Sequence, residues 1–167
     1  HQVPATLKEI PAGNEYSYLE TPVTKVLIAP YDAKQIYMAQ ISNLDKKYDP
    51  AIEPIRALYD EYFGGGMNSI VFQEMRETRG LAYSAWASIM PPSYLKYPYV
   101  LRTQIATQND KMIDAVTTFN DIINNMPESE AAFKLAKDGL TNRLRTERII
   151  KGDIIWSYIN AQDLGQN

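Results

Sequence analysis

A chain of 167 residues with 45% hydrophobic and 22% charged side chains has the size and composition of one folded domain, not of a disordered segment. Its net charge of −3 gives no electrostatic footprint for nucleic acid, and no apolar run approaches the roughly 18 residues of a membrane span. Cysteine is absent and the only histidine is His1, which counts against sulfur ligation, a Cys-His pair, a Ser-His-Asp triad and a His-rich zinc site within the chain.

Residues 1–22 carry Pro4, Pro11, Gly13 and Pro22 without clean periodicity and read as a linker or N-terminal arm, with at most a short strand near residues 16–19. The domain proper is expected over residues 23–167. Val23, Thr24, Val26, Leu27 and Ile28 predict a strand over residues 23–29 that Pro30 stops. Residues 34–42 alternate, with Ile36, Met38 and Gln40 on one face and Tyr37, Ala39 and Ile41 on the other. Both faces are largely apolar, which suits a strand inside a sheet. Asp49-Pro50 then supplies an N-cap and a first-turn proline. The helix they open covers residues 51–63, with Ile52, Ile55, Leu58, Tyr59, Tyr62 and Phe63 on one face. Pro54 pushes its regular part toward Glu53, and Gly64 is placed as the residue just past its end.

Beyond Gly64-Gly65-Gly66, Asn68 or Ser69 caps a helix to about residue 78 with Val71, Phe72 and Met75 inward, and Gly80 ends it. Residues 81–90 form a strand that Pro91-Pro92 breaks. A further strand covers residues 97–107. One of its faces is Tyr99, Leu101, Thr103 and Ile105; the other, with Val100, Arg102, Gln104 and Ala106, is polar enough to meet water or a partner. Asn109 or Asp110 caps a helix with the stripe Met112, Ile113, Val116, Phe119, Ile122 and Ile123, ended by Pro127. Next comes a long helix over residues 128–148. Gly152-Asp153 breaks and recaps it, and Ile154, Ile155, Tyr158, Ile159 and Leu164 make a last amphipathic helix. The order β-β-α-α-β-β-α-α-α is an α+β domain, a mostly antiparallel sheet packed against helices. Four strands are few for this length, so a further edge strand is expected beyond residue 167.

Several stretches carry candidate chemistry. The triple glycine before a helix offers a phosphate site in principle, but it lacks the spacing of a P-loop or a dinucleotide fingerprint; a tight helix connection accounts for it better. Glu74 and Glu77 share a helix face and could hold a metal or act as acid and base, but without a histidine they are better read as a solvated face or a set of ion pairs. Arg143, Arg145, Arg148 and Lys151, with Asp138 and Glu147 interspersed, read as an exposed salt-bridged face. Tyr94, Tyr97 and Tyr99 around Pro98 suit packing first and an interface second. Arg76 and Tyr83, seven residues apart across the turn at Gly80, are both hydrogen-bond donors that can converge on a peptide carbonyl or a developing oxyanion. On spacing alone, a surface arginine and a half-buried tyrosine is the simpler reading.

The stretch Gly64-Gly-Gly-Met-Asn-Ser-Ile-Val-Phe-Gln-Glu-Met-Arg-Glu-Thr-Arg-Gly-Leu-Ala-Tyr-Ser84 resembles the hallmark segment of the non-catalytic domain in pitrilysin/insulinase-type zinc peptidases, the superfamily that includes the mitochondrial processing peptidases. The resemblance covers roughly residues 23–167. It implies two homologous α+β domains. One carries zinc through an inverted His-x-x-Glu-His motif and supplies the metal-bound water; the other lacks the motif and contributes an arginine and a tyrosine seven residues apart that hold the substrate backbone near the metal. Arg76 and Tyr83 match those two positions. The resemblance thus implies a substrate-gripping, non-metal domain of a zinc endopeptidase acting on unstructured peptides. No site residue is catalytic or metal-binding within this chain; zinc belongs to a catalytic partner domain of the same polypeptide or a homologous subunit. The chain is expected to be part of a longer one and to stop short of the family's final helix-strand portion. The alternative is a structural or protein-interaction module with no role in proteolysis. Peptide specificity, oligomeric state and compartment, bacterial periplasm or cytoplasm, stay open.

Overall fold

In the computed structural model the described residues are 22–166 together with Glu9, Ala12 and Gly13. The chain divides into two units, His1–Asp32 and Ala33–Asn167. In the first, described residues 22–32 form neither helix nor strand, so the strand expected over 23–29 is not there. Val23, Val26, Leu27 and Ile28 are exposed. Strand propensity measures how well a side chain fits a paired, half-buried pleat, and without a hydrogen-bonded neighbour it does not order a backbone. The short strand expected near residues 16–19 falls outside the described residues.

The second unit is an α+β domain built on a three-stranded antiparallel sheet of β1 (Gln35–Lys47), β2 (Ser84–Met90) and β3 (Pro98–Gln108), in the order β1-β3-β2. Five helices accompany it: α1 (Glu53–Phe63), α2 (Ile70–Phe72), α3 (Met112–Asn124), α4 (Glu130–Thr146) and α5 (Ile154–Asp163). The strand expected inside the sheet, β1, is an edge, and β3 takes the centre. Register explains the burial. Tyr99, Thr103 and Ile105 of β3, with Ala85 and Ala87 of β2, lie on the face that meets the helices and are buried. Tyr37 and Ile41 of β1 pair with Ala106 and Arg102 on the opposite face and stay about two-thirds exposed, at 67% and 69%. Arg102 on that open face stacks its guanidinium over Trp86 of β2, 5.8 Å from the ring centroid.

Helix starts follow local chemistry. Asp49 accepts from the amide of Ala51 at 2.9 Å and opens a 3-10 turn, Pro50–Ile52, which leads into α1 at Glu53, where the proline content of the first turn costs no hydrogen bond. Ser69 and Ser129 cap α2 and α4 by accepting from the amides of Phe72 and Ala132. Asn109 and Asp110, the expected caps of α3, lie instead in a 3-10 turn, Asn109–Lys111, and no side chain caps it. The core gathers Phe63, Val71, Met75, Ala87, Ile105, Ala115 and Phe119, all at most 1% exposed, between sheet and helices. α4 packs on α1, pinned by Tyr62, whose hydroxyl donates to the carbonyl of Pro127 at 2.9 Å and accepts from the amide of Ser129 at 3.0 Å.

Polar groups tie α1 to the sheet. The Asp60 carboxylate accepts from the amide of Ile89 at 2.8 Å, the hydroxyl of Ser88 at 3.0 Å and the guanidinium of Arg56 at 2.6 Å. Burial pushes the Asp60 carboxyl above the ordinary carboxylate range, against the lowering pull of those partners. Arg56 also reaches Glu53 at 2.9 Å, and Glu53 accepts from the buried Tyr99 hydroxyl at 2.6 Å.

Candidate functional site

The site is a frame of turns that runs from the end of α1 to the start of β2. Gly64 and Gly65 donate to the carbonyl of Asp60 at 3.1 and 2.6 Å and close the helix. Gly64 does stand just past the helix end, as the sequence places it, but its φ of −141° lies outside the left-handed region. Its role is spatial: a Cβ at Gly64 would run into the backbone of Ala87 on β2, and one at Gly65 would lie 2.7 Å from the carbonyl oxygen of Asp60. Gly64 lets helix and strand touch and Gly65 lets the chain fold back on the end of α1, which fits the tight connection and not a phosphate cradle.

The chain then turns through Ser69, whose amide donates to Gly66 at 3.0 Å, into α2. The sequence predicts a regular helix to residue 78; instead the α-helical turn gives way after Phe72 to a π-helical segment, Gln73–Thr78, containing Arg76. Such wide turns shift the side chains beyond them relative to an α-helix and recur at functional sites. Gly80, at φ +59°, reverses the chain, and its amide donates to Arg76 at 3.1 Å. Leu81 and Ala82 both donate to the carbonyl of Met75, at 2.8 and 3.2 Å. The hydroxyl of Thr107 donates to Leu81 at 2.5 Å, and the ammonium of Lys111 to Gly80 at 3.0 Å. The Tyr83 amide donates to Ala106 at 2.8 Å, so the tyrosine is fixed at the head of β2.

This frame brings the two sequence-identified residues together. The Arg76 guanidinium carbon lies 5.6 Å from the centroid of the Tyr83 ring, and Tyr83 is 68% exposed. Arg76 also lies 5.1 Å from the ring centroid of Phe72, and its Nε stands 3.6 Å from the Glu77 carboxylate. The sequence marks Phe72 only as an inward residue; its spacing of four from Arg76 on one helical turn is the signal that links them. Glu74 pairs with Arg79 at 3.4 Å, so both glutamates of this segment are committed to arginines, as their spacing indicates. Of the basic run, Arg143 and Arg145 lie on α4 while Arg148 and Lys151 fall beyond its end at Thr146, and Arg143 pairs with Glu61 at 2.8 Å. Tyr99 is buried and stacks with Tyr48, and Tyr94 meets Tyr97 edge-on.

Among the described residues no group of three His, Cys, Asp or Glu side chains converges, and the glutamates of the site face guanidinium groups. No helix among the described residues is long and apolar enough to cross a membrane.

The second unit is thus an α+β domain, a helix-backed antiparallel sheet with a glycine-framed arginine and tyrosine at one end. The profile of the peptidase M16 inactive domain matches residues 16–140, and the chain belongs to that family. Among solved structures the chain is similar to the crystal structure of a peptidase M16 inactive domain from Pseudomonas fluorescens, with a TM-score of 0.59 and 18% identity. That match covers 80% of this chain and 32% of the other, so the chain spans about a third of the length of the protein it resembles. No curated protein matches the sequence.

Proposed function

We propose that this domain is the substrate-gripping, non-metal half of a zinc endopeptidase. Its partner is a homologous catalytic domain that supplies the zinc, on the same polypeptide or on a second subunit. The observation that carries this reading is the convergence of Arg76 and Tyr83: two donors fixed by backbone hydrogen bonds at one turn, 5.6 Å from guanidinium carbon to ring centroid, and both open to solvent. Membership of the inactive M16 family supports a catalytic partner. Since the described residues offer the metal no ligand set, the steps assigned to the domain are contacts with the peptide. Arg76 holds a main-chain carbonyl, and the Tyr83 hydroxyl donates to the carbonyl oxygen where negative charge develops, in a site that the partner domain closes against water.

The test is made on this domain joined to its zinc-bearing partner, with an unstructured peptide as substrate. Cleavage is expected to stop on adding a chelator. Tyr83→Phe is expected to lower kcat by about 10²-fold, the usual cost of deleting one such donor. Arg76→Ala is expected to raise KM and lower kcat/KM. Unchanged kinetics in Y83F would remove the tyrosine from the reaction.

A second reading, an interaction module without proteolysis, draws on the open sheet face, where Tyr37 and Ile41 of β1 are exposed on the same face as Trp86, across β3. It predicts a partner that lacks His-x-x-Glu-His and an assembly whose affinity falls in Ile41→Asp while Y83F is silent.

A further inference from the structure

We infer that Phe72 is a positioning residue for Arg76, and that it sets the edge from which the guanidinium meets its ligand. This rests on the reading that Arg76 grips a peptide, and it adds a residue that reading does not need. Three contacts surround the guanidinium. The rings of Phe72 and Tyr83 lie 5.1 and 5.6 Å from its carbon, both within the distance at which a cation is drawn to an aromatic face. The Glu77 carboxylate takes the Nε side at 3.6 Å. Nε is the guanidinium nitrogen that this ion pair engages. The Arg76 side chain nonetheless keeps 45% of its surface open. With two rings against it and Nε turned to Glu77, the group is left to bind through its paired Nη donors. Those suit an acceptor lying in the guanidinium plane, such as a main-chain carbonyl or carboxylate of an extended peptide.

Phe72 is well placed to impose this. Its neighbours Ile70 and Val71 are buried at 6% and 0%, and the Ser69 hydroxyl caps its amide, so its backbone is anchored in the core while its ring remains half-exposed. It is also the last α-helical residue before the π-helical segment that carries Arg76. Tyr83, on the other side of the turn, also has its amide held, by Ala106, but it is 68% exposed where Phe72 is half-buried. Of the two rings, Phe72 is therefore the fixed wall and Tyr83 the outer one, which a bound peptide can also touch.

The first arm of the test uses the 167-residue chain by itself. Ring currents are expected to displace the Arg76 Nε–H signal upfield, and Phe72→Leu is expected to abolish most of that displacement and to loosen the side chain in nitrogen relaxation. Phe72→Tyr and Phe72→Trp, which keep a ring, retain both. If F72L does not fold, Phe72→Met takes its place. An Arg76 signal unmoved by loss of the ring overturns the inference, whatever the domain does. The second arm uses the domain joined to its zinc-bearing partner. F72L is expected to lower kcat/KM about two- to fivefold, the equivalent of roughly 0.5–1 kcal/mol for an exposed cation–π contact, mostly through KM. F72Y restores it, and F72L adds nothing further in an Arg76→Ala background. An equal loss in both backgrounds would make Phe72 merely structural and sink the proposal. If R76A is silent but the first arm gives the expected shifts, the peptide-gripping reading fails while the placement of Arg76 by Phe72 stands.

Discussion

Tyr99 is the residue on which most of the buried polar network turns. Its hydroxyl donates to Glu53 at 2.6 Å, its ring stacks on Tyr48, and it is 1% exposed at the start of the central strand β3. Burial, and after it the hydrogen bond to Glu53, push its phenol up from 10.0 to about 12. Between those two values an unfolded chain has lost the Tyr99 proton and the folded chain keeps it. The folded state then binds more protons, so the stability Tyr99 contributes is complete below pH 10.0 and drains away as pH rises toward about 12. Tyr99→Phe is expected to cost about 1.5–3 kcal/mol at neutral pH, the worth of a bond to a charged acceptor. Its deficit against the wild type should shrink across the alkaline window. Urea midpoints of the two proteins at stepped pH check this; a constant gap would mean the phenol titrates alike in both states.

The element that shapes the site is the connection from α1 to β2, and its glycines differ sharply in what they do. Gly64 stands against the backbone of Ala87, where no side-chain end can swing aside, while Gly66 has nothing nearer than the Glu61 carboxylate at 3.9 Å. Gly64→Ala is therefore expected to destabilise by about 2–3 kcal/mol through forced separation of helix and strand. Gly66→Ala should stay within about 0.5 kcal/mol. Paired thermal melts decide it, and equal effects would mean that the triplet serves flexibility, not close approach. The same connection shows how far sequence reasoning carries. A cap at Asn68 or Ser69, which the structure resolves to Ser69, and Gly80 as terminator are legible, because capping and positive φ leave residue-type signatures. The pairing of Arg76 with Tyr83 is not legible from spacing, which favours a surface arginine and a half-buried tyrosine; only the resemblance singles the two out. The π-helical turn at Gln73–Thr78 is not legible either. It depends on how Met75 settles into the core and how its carbonyl takes two amides from beyond Gly80, which no periodicity announces.

At the scale of the whole molecule, periodicity locates the helices and two-residue alternation locates β1 and β3, yet which strand lies at the edge depends on pairing, a long-range property. The apolar pattern of residues 23–29 likewise promises a strand that only a neighbouring strand can make. α5 poses the same question for a helix. Its sequence is strongly apolar, but Ile154, Ile155, Trp156, Tyr158 and Ile159 are 38–66% exposed and no residue of the helix is buried. What holds the segment is peripheral: the Gln166 side chain donates to the Tyr48 hydroxyl, and Gly165 lies close to Leu95. Every member of the buried core cluster falls between Tyr62 and Ala136. Ending the chain after Glu147 should therefore leave cooperative folding intact and shift the melting temperature by no more than about 4 °C, the equivalent of roughly 1 kcal/mol for a domain of this size. The chain has two tryptophans, so this deletion of Trp156 leaves the fluorescence to Trp86 alone. Its emission then reports melting of the sheet directly. A broad, non-cooperative transition in the shortened protein would show instead that α5, exposed as it is, belongs to the folding unit.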